Sequence, residues 1–210
     1  MSRVDRSTTP RWKGPQRRIG LTGGIASGKS SVGHWLEARA IPVLDADHYA
    51  RDILSPGSQE WAATLNHFGP SITNWEKGNK EPTIDRQALA KIIFQNKRER
   101  EWLEQLVHPS VGQRFETALQ THAEEPIVVL MVPLLFEAGL EALCSEIWVV
   151  HCSAEQQLKR LMQRNNLTET MARQRIQAQW PLSDKCRLGD VLIDNSGAPQ
   201  GWENHVSKLL

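Results

Sequence analysis

Apolar residues in this chain fall into two rhythms. Short solid runs end abruptly at small or acidic residues, and between them apolar positions return every three or four residues. The first run, RRIGLTG from Arg17, stops at glycines, and SSVGHWLEARA after it sets Val32, Trp35 and Leu36 on one helical stripe. That pattern predicts strand, turn and helix. IPVLDAD predicts a second short strand ending in acids, with Pro42 tolerated near its start. The runs PIVVLMV from Pro126 and EIWVVHC from Glu146 have the continuous apolar character of strands buried on both faces of a parallel sheet. After the latter, Ser153 and Gln156 have the spacing of a capping box at a helix start. DVLID predicts a last strand, followed by a terminal helix.

Between Ala50 and Glu125 the rhythm is helical throughout: SQEWAATLNHF, DRQALAKIIF, KREREWLEQLVHP and SVGQRFETALQ read as helices, and no strand is required. A helical block set between core strands predicts an α/β fold: a parallel sheet interrupted by an insertion at 50–125, the core being 18–49 and 126–210.

Charge and cysteine content remove several classes of function. The net charge of +1 is uneven, since residues 1–18 hold six basic side chains against Asp5, a local +5 that leaves −4 on the remainder. The body therefore lacks a nucleic-acid footprint, and the polar, aperiodic residues 1–17 read as a disordered basic tail. No apolar run approaches the length of a membrane span, and the basic start lacks the apolar stretch of a signal peptide, so a cytoplasmic protein without membrane partners is expected. Cys144, Cys152 and Cys186 match no zinc or redox spacing.

Gly23 to Ser30 reads G-x-x-x-x-G-K-S between a strand and a helix, the setting in which that pattern cradles phosphates. Glycines let successive N–H groups curl inward, and the helix start adds positive potential. The loop Gly24, Ile25, Ala26, Ser27, Gly28, Lys29, Ser30 and Ser31 is thus expected to bind ATP. Lys29 would reach the β and γ phosphates, and the Ser30 hydroxyl would ligate Mg²⁺.

The acceptor side is read from LDAD. Strand residues two apart share a face, so Asp45 and Asp47 are expected to look toward the phosphates together; a carboxylate there orients a hydroxyl and accepts its proton. The competing reading makes either Asp a helix N-cap. Lys159, Arg160, Arg164, Arg173 and Arg175 lie in one basic stretch, with Arg160 and Arg164 four apart on one helical face. A solvated surface explains part of it; a lid over residues 159–182 carrying phosphate-binding arginines explains the rest, since water must be shut out of a phosphoryl-transfer site.

Taken together, IGLTGGIASGKSSV, LDADHYARDIL, IDRQALAKIIF, LEQLVHP, VPLLFEAGL, RLMQRNNLTETMARQRIQAQ and DVLIDNSG resemble, in this order, the dephospho-CoA kinase family. The resemblance implies a P-loop nucleoside-monophosphate-kinase-like three-layer fold and ATP-dependent phosphorylation of the ribose 3′-hydroxyl of dephospho-CoA. By the same resemblance Asp47 is the catalytic base with Lys29, Arg160 and Arg164 as catalytic cations, and Asn195 lies near the adenine. Asp45, His108, Pro133, Leu134 and Glu137 would face the substrate, with His108 in a CoA-facing helical subdomain, and the chain would be a monomer or weak homo-oligomer. The lid departs from the family in having Arg164-Asn165 where Arg-Asp is common, and IVVLMV lacks a Walker B acid, leaving Ser30 and an Asp of the DAD pair to support Mg²⁺. Two other readings stay open: another small-metabolite or nucleoside kinase with the same loop, and a nucleotide-sensing P-loop protein.

Overall fold

Ile19, Leu21, Val129, Met131, Trp148, Val150 and Ile193 alternate along four strands and turn their side chains to one face, where Val32, Leu36, Trp202 and Val206 cover them. This is the core that organises the molecule. The computed structural model describes residues 10–75 and 81–210. Contacts divide the chain into two units, one comprising the segment up to Asp45 together with Ala118–Leu210, the other Ala46–Thr117.

The first unit holds a five-stranded parallel sheet, order β2-β5-β1-β6-β7, from β1 (Arg17–Gly23), β2 (Val43–Asp45), β5 (Ile127–Met131), β6 (Glu146–His151) and β7 (Val191–Asp194). Helix α1 (Lys29–Glu37) joins β1 to β2, and α9 (Pro199–Ser207) closes the chain. Because every strand runs the same way, the register brings the carboxyl ends into one line: Gly23 pairs with Val150, Asp45 with Met131 and Asp194 with His151. Open α/β sheets bind ligands along that edge. On the sheet's other face a Cβ at Gly20 would stand 2.7 Å from Cys144 Sγ, so a larger residue there would force its neighbours to shift.

Beyond β6, helices α6 (Ala154–Asn165) and α7 (Glu169–Gln177) form a hairpin, and α8 (Leu182–Leu188) leads into β7. The capping box expected at Ser153 and Gln156 is present, so α6 begins where the sequence places it. Asn166 then ends α6 in the left-handed conformation, with φ 49°.

The second unit contains α2 (Ala46–Ile53), α3 (Gln59–Phe68), the strand pair β3 (Thr73–Asn74) and β4 (Thr83–Ile84), α4 (Arg86–Gln95) and most of α5 (Lys97–Thr121). Ser58 and Asp85 cap α3 and α4 through their side chains, each cap contributing about 1 kcal/mol. The mostly helical block also holds one short strand pair, Thr73 and Asn74 antiparallel to Ile84 and Thr83; runs of two residues are too short to give a period. One expectation needs correction: two helices do not meet at His108-Pro109, since α5 runs unbroken through Pro109. Tyr49 packs edge-on against Phe115, and His67 stacks on Trp102.

Residues 1–9 of the expected tail lie outside the described residues. Residues 10–16 are held: Trp12 donates its backbone N–H to Cys144 O and its indole N–H to Gln16 O, Arg18 stacks over its ring, and Arg11 pairs with Asp190. Strand β1 already begins at Arg17.

Candidate active site

The loop between β1 and α1 is shaped by two residues with positive φ, Ala26 at 59° and Gly28 at 101°. The turn is closed by Ser27 N–H to Gly24 O at 3.1 Å and Ser31 N–H to Gly28 O at 3.0 Å. Gly28 cannot take a side chain: besides its left-handed backbone, a Cβ would stand 1.9 Å from Asn195 Nδ2. Gly24 is similarly bounded, a Cβ there lying 2.4 Å from Gln157 Nε2. Both glycines thus let neighbouring side chains close on the loop. Lys29 opens α1 and is 8% exposed, while Ser30 and Ser31 beside it are exposed in the same first turn. The start of α1 is the positive end of a helix and suits an anion, and Lys29 stands in its first turn.

Asn195, expected near the base, follows β7 and holds the loop: its Nδ2 donates to Ser27 O at 2.8 Å. Arg160 supports it in turn, Nη2 donating to Asn195 O at 3.0 Å. The two arginines four apart are therefore not used as one pair. Arg160 turns toward Asn195 and Cys152, whose thiol is pushed up by burial against the opposing pull of that guanidinium. Arg164 is exposed and bonds to Asn165, and its charge acts on Arg175, lowered first by burial and then by this like charge. Arg173 belongs to the solvated face, paired with Glu169 at 2.7 Å.

The acids also differ from the expectation. Asp45 ends β2, but Asp47 is the second residue of α2, so strand alternation does not relate them. The helix begins one residue after Asp45, and it is the helical turn that directs Asp47, which is exposed while Asp45 is half-buried.

Pro133, Leu134 and Glu137 form a turn after β5, bound to β1 by Thr22 Oγ1–H to Pro133 O at 3.3 Å and Val132 N–H to Leu21 O at 2.9 Å. Glu137 is occupied by two partners. Lys185 Nζ lies 2.8 Å from its Oε1, and Trp180 N–H donates to the same atom at 3.0 Å. Lys185 also donates to Pro133 O at 2.8 Å. Its side chain is fully buried, and burial lowers its ammonium below the usual lysine value against the opposing charge of Glu137. Sequence reading assigns no role to Lys185, Gln157 or Gln179: Gln179 only closes the lid motif that begins at Arg160, and contacts alone single the three out. His108 lies on α5 in the second unit, half-buried.

For magnesium the donor chemistry is suitable though sparse. The Ser30 hydroxyl and Asp45 carboxylate are hard oxygen ligands, and both belong to the carboxyl edge of the sheet. Among the described residues no cluster of three or more His, Cys, Asp and Glu side chains is placed to hold a metal. An ion held by these two oxygens would draw further ligands from phosphate oxygens and water.

A glycine loop carrying a buried lysine at the carboxyl edge of a parallel sheet, with a basic helix pair after β6, defines a P-loop kinase. The family model for CoaE, dephospho-CoA kinase, matches residues 17–200. A dephospho-CoA kinase of Prochlorococcus marinus strain MIT 9313 is 56% identical over 95% of this chain and 98% of its own. One from Synechocystis is 46% identical over 92% and 94%. Among solved structures, dephospho-CoA kinase from Campylobacter jejuni superposes with a TM-score of 0.62 at 26% identity, over 91% of this chain and 94% of its own. A Thermus thermophilus protein gives 0.74 at 29%, over 93% and 97%. The chain belongs to the dephospho-CoA kinase family. Neither of the two other readings, a different metabolite kinase and a nucleotide sensor, is favoured.

Proposed function

We infer that this chain transfers the γ-phosphoryl group of ATP to the ribose 3′-hydroxyl of dephospho-CoA, giving coenzyme A and ADP. The observation that carries the reading is the loop from Gly24 to Ser31, held at the carboxyl edge with Lys29 buried at its helix end, in a chain of this family. The loop's inward N–H groups and the start of α1 bind the phosphates of ATP, and Lys29 stabilises charge on the β and γ groups as the phosphoryl moves.

Asp47 is the base. Placed in the first turn of α2 and exposed, it accepts the 3′-hydroxyl proton as the new O–P bond forms and the bond from Pγ to the ADP oxygen breaks. Asp45, at the end of β2, supplies with Ser30 the protein ligands of Mg²⁺. Bound there, the ion would neutralise phosphate charge. Arg164 serves as a cation of the lid, with Arg175 near enough to feel its charge, and two such guanidiniums suit an anion of high charge. Arg160 acts through Asn195. The turn Pro133, Leu134 and Glu137 serves the acceptor, and His108, in the helical insertion, is assigned to the acceptor by family resemblance alone.

A panel of acceptor alcohols offered with ATP tests the reading, with products located by phosphorus NMR. Dephospho-CoA is expected to be preferred at least a hundredfold in kcat/KM over adenosine and AMP and to gain a phosphate at the 3′ position only. Equal use of simple nucleosides would refute it.

A further inference from the structure

Ile25, at the leading edge of the phosphate loop, is gripped on both of its backbone polar groups by two glutamines from opposite ends of one helical hairpin. Gln157, in the first turns of α6, donates Nε2–H to Ile25 O at 2.8 Å. Gln179, two residues beyond the end of α7, accepts Ile25 N–H on Oε1 at 2.9 Å. The α6–α7 hairpin lies between them in sequence, so both of its roots meet at a single loop residue. Neither contact is incidental. Gln157 is 5% exposed, and Gly24 lacks the Cβ that would stand 2.4 Å from its amide. Gln179 is fixed through its neighbour, since Trp180 N–H is held by Glu137, itself bound to buried Lys185.

We propose that Gln157 and Gln179 are positioning residues that lock the register of the phosphate loop to the α6–α7 hairpin, so that the hairpin's placement is read at the ATP phosphates through Ile25. The idea rests on the loop being the ATP site. An Ile25 peptide freed at either end lets the loop rotate, and the N–H groups that follow it lose their common aim. Their hydrogen bonds to the loop go to its backbone alone, so their effect falls on the nucleotide and leaves the acceptor untouched.

The test is a double-mutant cycle with Gln157→Met and Gln179→Met, which keep length and remove the polar partner. Affinity for ADP is measured by calorimetry, turnover constants for both substrates by ADP release, and Tm by circular dichroism. Each single variant is expected to weaken ADP binding and raise the KM for ATP roughly tenfold, the scale of a buried backbone group losing its partner. The KM for dephospho-CoA should stay within about twofold, because the glutamines touch only the nucleotide loop. The double variant should lose about as much as one single and not the product, because both act on one residue. Unchanged ADP affinity, multiplied losses, or a loss that follows Tm alone would overturn the proposal. Should the double variant not fold, the singles decide: both must shift ATP constants the same way and spare the acceptor. ADP affinity needs no acceptor, so a wrong acceptor assignment shows separately as absence of dephospho-CoA turnover in the parent.

Discussion

Replacing Lys185 by Met isolates the buried ion pair behind the β5 turn. The ammonium sits at 2.8 Å from both Glu137 Oε1 and Pro133 O, with no exposure on the lysine and 13% on the glutamate. Methionine fills the space but leaves a mostly buried carboxylate with only Trp180 N–H on that oxygen, and leaves Pro133 O with only the longer bond from the Thr22 hydroxyl at 3.3 Å. Removing one member of such a pair costs about 3–5 kcal/mol. At about 2–4 °C per kcal/mol for a chain of this size, thermal unfolding should move down by about 6–20 °C. Removing the stranded charge as well, in Lys185→Met with Glu137→Leu, should recover at least half of the loss, since the carboxylate is what suffers most. A pH series adds an independent check. Burial lowers the lysine's value below 10.5, so the folded chain holds that proton less tightly than the unfolded one. The resulting penalty is complete below the lowered value and is relieved as pH rises from there toward 10.5; both variants should lack that relief. Scanning calorimetry and urea titration measure all three proteins. A single variant within about 1 kcal/mol of the parent, or a double variant no more stable than the single, would refute the reasoning.

Three other substitutions and modifications test separate parts of the structure. For Glu146, burial pushes the carboxyl up, but hydrogen bonds from Arg17 and Trp148 outweigh it and leave the value below 4.5; its stabilisation is complete above 4.5 and lost as pH falls through the lowered value. Glu146→Gln should therefore flatten the acid limb of an unfolding curve between that lowered value and 4.5, and an unaltered limb would count against the assignment. Burial raises the Cys144 thiol to about 12, so iodoacetamide at pH 8 should leave it unmodified in the folded protein, as peptide mass mapping would reveal. Gly28→Ala places a methyl on Asn195 at a backbone with φ 101°; ADP affinity should fall at least tenfold, and a variant binding normally would show the loop free to rearrange.

The sheet was legible in the sequence because its strands are continuous apolar runs such as IVVLM and EIWVVH, whose burial leaves little choice of element. The loop was legible because Gly28 answers to a local requirement, a positive φ, that only a few residue types meet. Asp47 was harder. DAD reads equally as strand or helix start, and where β2 ends is set by its pairing with β5 only as far as Asp45 and Met131. Proline 109 inside α5 misled for a similar reason: local preference ends a helix there, while burial of Leu103, Val107, Val111, Phe115 and Leu119 along a single stripe carries it through. Nothing local marks what the glutamines at 157 and 179 do. Their meaning comes from Ile25, more than a hundred residues earlier in the chain, and a single sequence shows no such pairing.

The central claim, that a P-loop phosphate donor is joined here to a dephospho-CoA acceptor, is tested most directly by coupled ADP release with ATP and Mg²⁺, run with and without dephospho-CoA. The account predicts ADP release that depends on dephospho-CoA and matches coenzyme A formed one for one. ADP released at the same rate without the acceptor, or none released with it, would contradict it.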